Sequence, residues 1–133
     1  MDSLKRMRFI LAFDSVSGLT AGFLTWALIP VLQPLNQWTL EFARFIASAN
    51  IGYGLFAGAL FLLFRKGIRV SLGLLAALVV ANSLWAVQCL VQVWRLQNEV
   101  SFFGLGHLVL EGAYVGLVAY FEARIFFPPK KSA

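Results

Sequence analysis

Four apolar stretches, each about as long as a bilayer is thick, fill most of the sequence between residues 8 and 127, and short polar turns separate them. An α-helix rises ~1.5 Å per residue and a hydrocarbon core is ~30 Å deep, so roughly 20 apolar residues make one crossing. Lipid offers no hydrogen bonds, so the backbone of such a run must satisfy its own, as a helix does. The chain has 133 residues, 60% of them hydrophobic and 13% charged. A water-soluble domain of this size cannot bury that much apolar surface. The expectation is an all-α membrane protein, with one domain over 1–133 built as a four-transmembrane-helix up-down bundle. The helices are expected at about 8–29, 40–64, 70–94 and 102–127.

The first stretch follows the basic run MDSLKRMRF, so a signal peptide has to be weighed. Phe9 to Ile29 is longer than a usual signal core, and no small-x-small cleavage site follows. The segment reads as a retained first helix. Pro30 and Pro34 are expected to end it, because proline lacks the amide donor and clashes with the preceding turn. Asn36, Gln37 and Trp38 then read as a short interfacial loop.

Basic residues set the expected orientation. Lys5, Arg6, Arg8, Arg65, Lys66, Arg69, Arg124, Lys130 and Lys131 fall on one side, and only Arg44 and Arg95 on the other. Nine against two puts both termini in the cytoplasm by the positive-inside rule, as a multi-pass protein of a bacterial inner membrane. The net charge of +5 therefore concerns orientation and anionic membrane lipids. No basic patch with interleaved aromatics suggests nucleic acid.

Polar residues inside the apolar runs mark where a site can be. Counted from Phe102, Glu111 lies roughly 13 Å deep, near the midplane. A carboxylate there costs at least ~2.5–3.5 kcal/mol on insertion scales, so it should face the interior with a partner. His107 is one turn away on the same face and can meet it. Together they could bind a polar head group, pass a proton, or simply glue the bundle through Asn50, Asn82 or Trp85. Asn82 and Trp85 are expected at the level of Glu111, with Gln88 beside that face and Tyr53 and Tyr114 lining the same space or filling core. Asp14 is placed only about 7 Å inside the cytoplasmic face. It could line a vestibule with Ser17 and Glu122, but pairing with Arg8, Arg69 or Arg124 is the favoured reading. Arg44, Gln88, Gln92 and His107 are expected to surround a cavity open toward the outer half, with Trp26, Trp85 and Trp94 as aromatic surface.

Three G-x-x-x-G pairs, Gly18 with Gly22, Gly54 with Gly58 and Gly112 with Gly116, allow close helix approach, within one chain or in a homo-oligomer. Asn50-x-x-Tyr53 and Glu111-x-x-Tyr114 echo each other at similar depths, as a duplicated hairpin or chance would produce. The single cysteine, Cys89, excludes an internal disulfide and reads as packing. There is no H-E-x-x-H, Walker loop or G-x-S-x-G elbow, and a lone His builds no His-rich metal site. The sequence names no cofactor and gives a conventional hydrolase or redox enzyme little support.

Asp14 in the first helix, Asn82-x-x-Trp85 in the third and the Gly-rich fourth helix ending near Glu122 resemble the small four-helix inner-membrane proteins of bacteria that lack an assigned activity. That resemblance implies a fold and no substrate. Three functional expectations follow from the residues. The first is binding or carriage of a small amphipathic molecule (lipid, quinone or sterol-like) in a cavity around Glu111. The second is an accessory subunit whose polar faces pair with a partner. The third is an isomerase-like enzyme using Glu111 and Asp14, whose depths lie far apart for cooperation.

Overall fold

A computed structural model describes residues 3–129. Lys130 and Lys131, which complete the nine-to-two count, lie outside the described residues. Those described fold into five helices and no strands: α1 (Ser3–Ala27), α2 (Ile29–Asn36), α3 (Leu40–Arg65), α4 (Leu72–Leu96) and α5 (Phe102–Phe126). Four of them, α1, α3, α4 and α5, are long and apolar enough to cross a membrane. Large side chains such as Phe102, Trp94, Leu110 and Phe9 stand exposed on the outside. In water such a surface would aggregate; in lipid it is the solvated face.

Local chemistry explains the helix starts. Thr39, Ser71 and Ser101 each accept a hydrogen bond from an amide three residues on, which caps α3, α4 and α5. The stretch expected to be a loop is instead the helix α2. Pro30 stands in its first turn, where an amide hydrogen has no helical acceptor and none is missed. The helix closes at Gln37, whose φ of 56° is left-handed. Trp38, expected at the interface, is buried against Ala43, Ile46 and Leu108.

The long helices pack as two tight pairs. In α1 and α3, Gly18 lies against Gly54, and a Cβ there would come within 3.1 Å of Asn50 and Gly54 backbone atoms. A Cβ on Gly22 would meet the Ala47 carbonyl oxygen at 2.8 Å, and one on Gly54 the Leu19 nitrogen at 2.6 Å. In α4 and α5, a Cβ on Gly112 would meet Cys89 Cβ at 3.0 Å, and one on Gly116 would meet Ala86 Cβ at 3.6 Å. These glycines thus serve contacts within one chain. The second pair is fixed to α2 by Ser101, whose hydroxyl donates to the Leu35 carbonyl at 2.7 Å and whose amide donates to that of Asn36 at 3.2 Å.

The two pairs meet more loosely along a seam. One apolar cluster closes it at the end holding Ser3 and Phe126, through Leu11, Leu60, Leu75, Leu78 and Phe126. Another closes it at the α2 end, through Trp38, Ile46, Trp85, Cys89 and Leu108. The buried polar side chains Asp14, Asn50, Asn82 and Glu122 lie along the seam, whereas Ser15 is buried in the α1–α3 contact.

Candidate functional site

Two carboxylate clusters occupy the seam. The first centres on Glu111, whose side chain is 10% exposed. Its Oε1 accepts from Asn50 Nδ2 at 2.7 Å and from Trp85 Nε1 at 2.8 Å. Its Oε2 lies 3.5 Å from His107 Nε2, one helical turn away. His107 Nδ1 is 3.4 Å from Asn36 Nδ2, and its ring lies 4.8 Å from that of Trp38. With Nδ1 accepting from the amide, the ring N–H is Nε2, which faces Glu111. Side chains of α3 and α4 therefore converge on one oxygen of this α5 carboxylate, His107 stands beside the other, and α2 reaches the group only through His107. The motifs Asn50-x-x-Tyr53 and Glu111-x-x-Tyr114 meet here, through the Asn50 to Glu111 bond.

The second cluster was not expected as a unit. Asn82 Nδ2 donates to Asp14 Oδ2 at 3.1 Å and to Glu122 Oε2 at 3.0 Å, so one amide nitrogen bridges two carboxylates from α1 and α5. Asp14 is 6% exposed and Glu122 0%. The second oxygen of Glu122, Oε1, is buried without a hydrogen-bond partner. Among the described residues no lysine, arginine or histidine comes within ion-pair distance of either acid; the basic side chain that does so elsewhere is His107, at Glu111.

This corrects the favoured reading of Asp14 as an interfacial acid held by an arginine. Arg8 donates instead to the Phe64 carbonyl at the end of α3, at 3.2 Å. Arg124 lines a surface hollow with Arg6 and Ser3. The vestibule partners are where that alternative put them: Ser17 donates to the Asp14 carbonyl, and Glu122 shares Asn82 with Asp14. Asn82 is likewise corrected. It bonds Asp14 and Glu122, and Trp85, one turn on, supplies the bond to Glu111.

A cavity of about 320 Å³ joins the two clusters. Asp14, Asn50, Asn82, His107 and Glu111 line it with Ser17, Thr25, Tyr53 and Tyr114. Its mouth lies between α1 and α5, where the lining residues Ala21, Leu110 and Tyr114 are exposed. The Tyr114 and Phe13 rings, 6.3 Å apart, stand beside that opening. Of the sequence-marked site residues, Trp85 bonds Glu111 without lining this cavity, and Gln88 also lies outside it. Gln88 lines a separate apolar groove between α3 and α4, with Trp85, Phe45 and Leu84. Gln92 lines a hollow at the α2 end. Arg44, Trp26 and Trp94 are exposed and line neither the cavity nor that groove.

The described residues hold no cluster of three or more metal-ligating side chains. Compared with known proteins, the chain matches no family model, no curated protein and no solved structure. What the site does is therefore argued from its own chemistry.

Proposed function

We propose that this protein binds or carries a small amphipathic molecule, lipid-like or sterol-like in build, in the seam cavity below Glu111. The observation that carries this reading is the cavity itself. Its walls are mostly apolar, a few polar groups (Asp14, Asn50, Asn82, His107 and Glu111) converge on it, and it opens between α1 and α5, on flanks whose exposed side chains are apolar. A ligand with one polar end and an apolar body would enter from the membrane, set its head among Asp14, Asn50 and Asn82, and leave its tail at Leu110 and Ala21. Cavities of about 300 Å³ and upward are of ligand-holding size. A quinone, which brings acceptors, suits this carboxylate-lined floor less well than a molecule that donates.

The reading includes an up-and-down crossing with both termini in the cytoplasm of a bacterial cell, supported by the basic residues. The accessory-subunit alternative would use polar faces turned toward a partner. Here Asp14, Asn50, Asn82, His107, Glu111 and Glu122 turn inward to one another, which favours a ligand over a partner.

Native mass spectrometry of the detergent-purified protein tests the proposal. The wild type should carry an added mass, and Ala21→Phe, which fills the mouth from an exposed position, should lose it at an unchanged melting temperature. Equal retention by both proteins, or no bound mass after incubation with a total lipid extract, refutes it.

A further inference from the structure

We infer that the ligand's head is a small neutral polyol, glycerol-like in build, whose hydroxyls donate to the side-chain carbonyls of Asn50 and Asn82. This rests on the proposed ligand cavity and names the chemistry of its occupant.

The protein uses only one half of each amide. Asn50 gives its Nδ2 to the Ile46 carbonyl at 3.1 Å and to Glu111 at 2.7 Å. Asn82 gives its Nδ2 to Asp14 at 3.1 Å and to Glu122 at 3.0 Å. An amide nitrogen carries two hydrogens, so both nitrogens are fully engaged. Each carbonyl oxygen can accept two hydrogen bonds, and no described donor reaches either one. Asn50 is 6% exposed and Asn82 1%, and both line the cavity. Neither oxygen is sealed off, since the enclosed side-chain atoms without a partner are Trp38 Nε1 and Glu122 Oε1. The open space that the two oxygens adjoin is therefore the cavity. A buried carbonyl without a donor is costly, so the cavity favours an occupant that brings donors.

The chemistry of the lining narrows the head group. A carboxylate or phosphate brings acceptors to acceptors, and beside Asp14 and Glu111 it adds repulsion. A quinone or an ether only accepts. An ammonium donates, but its charge has to pass the apolar mouth at Leu110 and Ala21, which a hydroxyl passes at far lower cost. A lone hydroxyl donates one hydrogen and answers one carbonyl. Two neighbouring hydroxyls answer both, and no charge is buried.

The test compares the octyl monoether of glycerol, which has two free hydroxyls, with the same molecule after both hydroxyls are methylated. Each is titrated calorimetrically into the purified protein in detergent. The diol should bind about tenfold or more tightly, because the methylated probe forfeits both donated bonds. Ala21→Phe should abolish binding of either probe. The chain has four asparagines, Asn36, Asn50, Asn82 and Asn98. With their side-chain carbonyl carbons isotope-labelled for NMR, the Asn50 and Asn82 signals should shift with the diol and stay in place with the methylated probe. That readout needs no substitution at Asn50 or Asn82, either of which would disturb a carboxylate cluster. Equal affinity for the two probes overturns the polyol head and leaves the amphipathic cavity standing. Tighter binding of the diol without a shift at Asn50 and Asn82 also overturns it. Binding of neither probe, or binding that survives Ala21→Phe, overturns the cavity reading together with the head group.

Discussion

Glu111 and Glu122 stand on the same helix, eleven residues or about three turns apart, and the bundle treats them in opposite ways. Glu111 accepts two hydrogen bonds at Oε1, from Asn50 and Trp85, and its Oε2 has His107 beside it at 3.5 Å. Glu122 is more deeply buried, shares a single amide nitrogen with Asp14 and keeps one oxygen without a partner. A carboxylate bonded from two other helices holds helices together. Two acids that share one amide must share more than that, and a proton held between them is the simplest means. Glu111 is the acid that stands out in the sequence; Asp14 and Glu122 are the ones the fold brings into contact.

The sharpest way to break this contrast is to remove the shared donor. Asn82→Leu leaves two buried carboxylates with no amide between them. Taking one partner from a buried charged group typically costs about 3–5 kcal/mol. A large fall in thermal stability in detergent is expected, greater than for Asn50→Leu, which leaves Glu111 with Trp85 and His107. Equal losses for the two variants would mean that the clusters are alike.

Why one cluster was legible and the other was not has a physical reason. The partners of Glu111 could be picked out because Asn50 and Trp85 are isolated polar groups at matching depth in apolar runs. Asp14 was placed beside an arginine because its shallow depth allows one to reach it, but depth does not decide which way a side chain faces, and α1 turns Asp14 to Asn82 on α4. Helix α2 was missed for a different reason, since a proline that ends one helix also suits the first turn of the next. The four long helices needed no such detail, because length and apolarity alone determine them. Bridging of Asp14 and Glu122 by Asn82 depends on how two helix pairs are offset, which no single helix encodes.

Glu111 itself gives the second test. Glu111→Gln keeps the shape and an acceptor for Asn50 and Trp85, so its melting temperature should stay near that of the wild type. Glu111→Leu strands those two donors and should cost about 1–3 kcal/mol. If the Gln variant instead unfolds as readily as the Leu variant, the charge is essential to Glu111 and the contrast with Glu122 narrows.

A smaller loss is expected at Trp85. Trp85→Phe removes the Nε1 donor, whose bond to Glu111 is 2.8 Å, but keeps an aromatic ring against Tyr53 and Phe45. One of the two hydrogen bonds to Glu111 is removed, at about 1 kcal/mol. Trp85→Leu should lose more, because ring packing goes too. A Phe variant as unstable as the Leu variant would show that Glu111 depends on the indole far more than a shared acceptor implies.

The smallest effect should come from Gln88, which adjoins the Glu111 face in sequence and yet lies outside the cavity. Residue 85 turns its indole nitrogen into the seam; three positions on, Gln88 projects along the α3–α4 groove beside Leu84 and Val87. It contributes no side-chain hydrogen bond to either carboxylate cluster. Gln88→Ala should therefore change stability by no more than about 0.5 kcal/mol, as substitutions away from special features do. It should also leave the mass retained in native mass spectrometry at the wild-type level. A loss of that mass in Gln88→Ala would mean that the ligand approaches through the α3–α4 groove, and the entrance between α1 and α5 would then be wrong.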